Sequence, residues 1–135
     1  MTGLDTNVLV RYLAQDEPKQ AALATRLIEQ ELSAAEPGFI SLVVLVEVCW
    51  VLKRLYSASA DELLAVVEDL LNTSRFQLDR RDVVAATVKF MKAGQDAKAG
   101  FVDALIAQLA AAQGCSRTVS FDKAAVRSAG MVLLQ

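Results

Sequence analysis

Apolar runs too short for a helix alternate along this chain with apolar patterns too long for a strand. Leu4 sits in a short apolar stretch over residues 2–5. Phe39-Ile40 and Phe76-Gln77-Leu78 are of strand length, and Cys115–Val119 and Met131–Leu134 complete the series. Helix-period segments separate them, two of these falling between the second and third strands. Short strands joined by helical crossovers imply parallel pairing, in a sheet whose two faces are covered. With 135 residues, 54% of them hydrophobic, and only 6 glycines and 2 prolines, the chain suits one domain over residues 1–135 with its own core.

The element boundaries carry chemical signals. Asp5-Thr6-Asn7 offers side-chain oxygens that can cap a helix beginning in VLVRYL. Pro18 opens a second helical pattern through Ala21, Ala24, Leu27 and Ile28, closed by Glu36-Pro37-Gly38. Ser41 can cap a third helix containing Leu45, Val48, Cys49 and Leu52; its apolar pattern, about 15 residues, is too long for an ordinary strand. Ser59 and Glu62 form a capping-box signature for a helix from Ala60 to Leu71. Asp79 and Asp82 have the Ncap and N3 spacing for a helix from Arg80 to Met91, and the polar stretch Ala93–Gly100 reads as a flexible loop. FVDALIAQLAAAQG is a strong helix stopped by Gly114.

Composition excludes several function classes. A formal charge of -2 counts against a module that holds RNA by charge alone, though less against an acidic site that binds cations. There are 0 histidines, which removes histidine zinc sites, the Ser-His-Asp triad and histidine general bases. Cys49 and Cys115 are expected as free, buried thiols, one in a helix and one in a strand, with neither a disulfide framework nor a zinc knuckle. The chain reaches Asp5 without a basic region and apolar core, so no signal peptide is expected. No uncharged apolar run approaches a membrane span, and a soluble cytoplasmic protein is the expectation.

Asp5, Glu47, Asp103 and Asp122 stand out by context. Asp5 ends the first strand, at the sheet edge where open α/β folds carry their sites. Glu47 interrupts LVVLVEVCWVL, Asp103 is flanked by Phe101-Val102 and Ala104-Leu105-Ile106, and Asp122 follows TVSF. Ionised carboxylates in apolar surroundings are costly unless paired, and their helical neighbours offer no cation. The simplest partner set is each other plus a hard divalent ion, Mg²⁺ or Mn²⁺, which can supply the activated water and the charge neutralisation that phosphodiester hydrolysis needs. Thr6, Asn7 and Ser120 could orient waters or ligands around them. Each acid also has a bland reading. Asp5 and Asp122 can be helix caps, Glu47 can reach solvent, and Asp103 can be a first-turn acid favoured by the helix dipole. Asp96 lies in the polar loop outside this core set. Arg11, Lys98, Arg117, Lys123 and Arg127 could touch RNA phosphate, but each reads first as a solvated side chain.

LDTNVLVRYL, SLVVLVEVCWVL, FVDALIAQLAAAQG and SFDKAA together resemble the PIN domain in its VapC form, the ribonuclease toxins of bacterial type II toxin-antitoxin pairs. The resemblance covers essentially the whole chain. It implies a three-layer α/β/α sandwich with a short parallel sheet, and a metal-dependent endoribonuclease. Asp5, Glu47 and Asp103 would then be the principal metal ligands, with Asp122 more peripheral or completing a second metal position. It further implies a homodimer held inactive by a VapB-like antitoxin, through which alone the chain would meet DNA, with RNA as substrate and no membrane partner. The apolar helices around Leu9–Leu13 and Leu42–Leu55 are candidate surfaces for the copy or the antitoxin, with core packing the plain alternative. Gly100-Phe101 departs from the Asp-Phe pair of many relatives and removes an auxiliary acid. The alternative function is a catalytically silent PIN-like scaffold or RNA-binding module. A haloacid dehalogenase-type phosphatase would want Asp-x-Asp where the chain has Asp5-Thr6-Asn7.

Overall fold

A computed structural model describes residues 1–94 and 100–135. Gln95–Ala99, the middle of the polar stretch read as a loop, lie outside the described residues, and Asp96 and Lys98 with them. Two compact units emerge: Met1–Ala58 with Asp69–Arg81, and Ser59–Glu68 with Asp82–Gln135.

The first unit is built on three parallel strands in the order β1 (Thr2–Gly3), β2 (Gly38–Ile40), β3 (Phe76–Leu78). Their register is Gly3 to Phe39 and Phe39 to Gln77. Pairing runs one residue beyond β1, because the Leu4 N–H donates to the Phe39 carbonyl at 3.0 Å. Helix α1 (Thr6–Ala14) packs against α2 (Pro18–Arg26) and α3 (Leu42–Leu55). A π-helical turn, Leu27–Glu31, prolongs α2. Leu4, Leu9, Ile28, Ile40, Leu45 and Val48 are buried between these elements. Ser41 caps α3 as expected, its hydroxyl accepting from the Val44 N–H at 3.1 Å. Gly38 allows the sheet to close on its neighbours: a Cβ there would lie 2.7 Å from Leu4 Cδ1 and 2.8 Å from Leu32 Cδ1.

In the second unit, α4 (Ala60–Asn72, its last turn belonging to the first unit) starts at the expected capping box. The Ser59 N–H donates to Glu62 Oε1 at 2.9 Å and the Glu62 N–H to Ser59 Oγ at 3.1 Å. Helix α5 (Arg81–Ala93) begins one residue later than the spacing suggests, after Arg80 at a φ of 50°. Lys92 pairs with Glu68. Helix α6 (Phe101–Ala112) precedes a second parallel pair, β4 (Val119–Ser120) and β5 (Val132–Leu133), joined through α7 (Lys123–Ala129). Ala125, Ala129 and Met131 form a small core with Ala107 and Val126.

One expected strand is shorter than its apolar run. Cys115 is exposed and belongs to the end of α6 rather than to β4. Its N–H donates to the Ala110 carbonyl at 3.0 Å and the Gly114 N–H to Ala111 at 3.0 Å. This is the paired closure that terminates helices at a left-handed glycine, here at a φ of 93°. The expectation of two buried thiols is therefore corrected: Cys49 is buried, Cys115 is not. Among the described residues no helix is long and apolar enough to cross a membrane. The α/β build with short parallel strands agrees with the sandwich expected from the resemblance.

Candidate functional site

The first unit carries Asp5 and Glu47. Asp5 is the residue at which β1 gives way to α1, with an extended backbone (φ -81°, ψ 159°). Its carbonyl accepts the first helical bond, from Val8 at 3.1 Å. Its carboxylate makes no capping bond, is exposed, and has no hydrogen bond or ion pair among the described residues. The cap reading thus fails for this side chain. A group that could satisfy a helix terminus is instead left facing outward beyond the carboxyl end of a strand.

Glu47 lies on the outer face of α3 and is exposed, the solvent-reaching arrangement that its sequence context left open. Those neighbours divide by helical phase. Leu45, Val48, Cys49 and Leu52 turn inward, while Val43, 76% exposed, and Trp50, 57% exposed, flank Glu47 on the outside. Together with Leu42 and Val46 they line an apolar groove of about 510 Å³. Leu9 and Val10 of the other candidate surface are core. Beside them Asn7, Val8 and Arg11 line a separate hollow of about 310 Å³ against α2. Thr6, next to Asp5, is buried.

Asp103 and Asp122 belong to the second unit. Asp103 is half-buried in the first turn of α6, where the helix dipole favours an anion, and has no side-chain partner among the described residues. For Asp122 the cap reading holds: Oδ1 accepts from the Ala124 N–H at 2.9 Å at the start of α7. Ser120 supports that turn, its hydroxyl accepting from the Asp122 N–H at 3.0 Å.

Sequence reasoning gives Asp79 only a capping role at the start of α5 and misses it as a neighbour of Asp5. Extending the strand register places Asp5, Ser41 and Asp79 in one row at the carboxyl edge of the first sheet. Asp79 donates its N–H to the Ile40 carbonyl at 2.9 Å, and its Oδ2 accepts from the Leu42 N–H at 3.4 Å, the first turn of α3. The signal was present in its position after a strand, the same context that singled out Asp5. Among the basic candidates, Arg11 is engaged by Gln20 at 2.8 Å, Asp16 at 3.2 Å and the Tyr56 hydroxyl at 3.4 Å. Arg117, Lys123 and Arg127 are exposed.

Among the described residues no group of three or more His, Cys, Asp or Glu stands together as a metal site. The donor chemistry does suit a hard ion: Asp5, Glu47 and Asp103 offer carboxylate oxygens that no protein group claims among the described residues. Burial pushes the Cys49 thiol up to about 12, so it supplies neither a thiolate ligand nor a nucleophile near neutral pH.

A protein named VapC ribonuclease from Aquifex aeolicus (strain VF5) is similar to this chain, 26% identical over 123 residues that cover 91% of this chain and 88% of that protein. A sequence model of the PIN domain matches residues 4–130. That stretch starts beside Asp5, ends beyond Asp122 and takes in Glu47 and Asp103, and on its strength the chain belongs to the PIN domain family.

Proposed function

We propose that this protein is a metal-dependent endoribonuclease and the toxin of a type II toxin-antitoxin pair. Asp5 carries the reading: its carboxylate stands at a strand-to-helix junction and is spent on neither the helix end nor an ion pair among the described residues. Asp5, Glu47 and Asp103 hold one or two Mg²⁺, or Mn²⁺ in their place, and Asp122 assists with the oxygen its cap leaves over. The bound ion supplies water activation and neutralises the phosphate charge. Hydrolysis adds water across the bond from phosphorus to the 3′ oxygen, leaving 5′-phosphate and 3′-hydroxyl ends. The carboxylates orient the ion and take up its charge, while Thr6, Asn7 and Ser120 fix the backbone and polar surroundings.

On this reading residues 1–135 act as one nuclease domain, since the family match runs through both compact units. The partners are a VapB-like antitoxin, a second copy of the chain and RNA, with DNA reached only through the antitoxin. The site of action is the cytoplasm, where the two free cysteines stay reduced. The test is purified protein on structured RNAs with Mg²⁺, with chelator, and as Asp5→Asn. Cleavage in the first condition alone is expected. Equal cleavage in all three refutes the chemistry, and cleavage in none makes the chain a silent scaffold.

A further inference from the structure

Beside Glu47 the outer face of α3 carries an aromatic ring that no core contact requires. Trp50 is 57% exposed, and the Arg54 guanidinium lies over its ring, 5.3 Å from the centroid. Arg54 and its neighbour Lys53 have no ion pair among the described residues, so this end of the helix keeps its positive charge. Glu47, Trp50 and Arg54 follow one another along a single face. Their spacing along the axis is about 4.5 Å and then about 6 Å, from the rise of an α-helix. An apolar groove with Glu47 and Trp50 in its wall opens on the same side.

We propose that this face is a nucleobase-stacking subsite, in which Trp50 takes the base of a single-stranded nucleotide adjacent to the one being cut. The inference rests on the nuclease reading and specifies how substrate meets that site. Every nucleobase presents a π-face, so an exposed indole accepts any of them without reading sequence. Arg54 stiffens the platform from one side of the ring through its cation–π contact, and with Lys53 answers the neighbouring phosphate. A docking protein would bury the ring equally well. The unpaired cations at the platform's end favour a polyanion instead.

Trp50 is the 1 tryptophan in the chain, so its emission reports this face directly. Full-length protein is titrated, in chelator, with a short unstructured RNA oligonucleotide and with an abasic oligonucleotide of equal length. Saturable quenching by the first and none by the second is expected. In Mg²⁺, Trp50→Ala should raise KM by about tenfold with kcat nearly unchanged, and Trp50→Phe should keep most of the affinity. Equal quenching by the abasic chain, or an unchanged KM in Trp50→Ala, overturns the subsite. A Trp50→Ala protein that turns from dimer to monomer in sedimentation with KM unaltered assigns the face to a second copy and equally overturns it. A wild type that binds with base-dependent quenching but cuts nothing in Mg²⁺ upholds the stacking face and refutes the nuclease reading alone.

Discussion

Two aspartates in this chain occupy the same local position, the residue just before a helix, and do different things with it. Asp122 accepts from the Ala124 N–H, whereas Asp5 leaves the start of α1 without a side-chain cap. Losing a working cap typically costs about 1 kcal/mol. Asp122→Ala should therefore lower the free energy of urea unfolding by about that amount. Asp5→Asn, with no such bond to lose, should stay within about 0.5 kcal/mol of the parent when both are unfolded in chelator. The same Asp5→Asn protein should lose at least about a hundredfold in metal-dependent cleavage, the scale on which removal of a group active in the transition state is felt. If Asp5→Asn unfolds the chain as readily as Asp122→Ala does, the carboxylate was structural after all. The sequence named both acids but could not divide them. Whether a carboxylate turns toward its own helix or away from it is a matter of side-chain torsion, which residue type leaves open.

At the scale of elements, the strands and helices follow from apolar spacing because each must bury one face. Hence Leu4, Ile40 and Leu78 are inside as their runs suggest. What spacing could not give was where backbone hydrogen bonding would stop a run. Cys115 is drawn into the closure of α6, and helical phase puts Glu47 on the outer face of α3, where its flanking residues are apolar like those inside. With apolar side chains on every side, composition carries no phase. Gly38 tests how closely strand packing is set. A methyl there meets the ends of Leu4 and Leu32, which can move only by disturbing their own burial. Gly38→Ala should lower stability by about 1–3 kcal/mol, the usual cost of overpacking, in the same urea experiment.

A second element-level device ties the α1–α2 turn to the end of α3. The Tyr56 hydroxyl donates to Asp16 Oδ2 at 2.5 Å, with Arg11 alongside. That hydrogen bond is the main reason the Asp16 carboxyl titrates below its ordinary 3.8, and also the main reason Tyr56 titrates above its ordinary 10.0. A depressed acid stabilises the fold above its unfolded pKa, and this is lost as pH falls through the folded value. A raised phenol stabilises below its unfolded pKa, and this is lost as pH climbs through the folded value. The contribution is thus present between roughly pH 4 and pH 10 and disappears on both sides. Tyr56→Phe should lower the unfolding midpoint across that window, with the two proteins converging below and above it. A difference independent of pH would mean that packing, not the hydrogen bond, links these elements.

For the molecule as a whole, the proposed function calls for a divalent ion held by Asp5, Glu47 and Asp103 together. An ion that binds only the folded chain raises its stability by RT ln(1 + [L]/Kd), about 2.7 kcal/mol at one hundred times Kd. Mg²⁺ or Mn²⁺ should therefore raise the melting temperature in proportion to the logarithm of concentration once saturating. On the proposed function Asp5 and Asp103 are ligands of one ion, so Asp5→Asn and Asp103→Asn should each abolish most of that rise. The decisive measurement is the double variant. Ligands that act as one set are non-additive, so Asp5→Asn with Asp103→Asn should bind no more weakly than the poorer single variant, and its residual cleavage should fall no further. Independent sites would instead give losses that add. In that case each carboxylate would be holding its own weakly bound ion, and the three-acid site would be refuted.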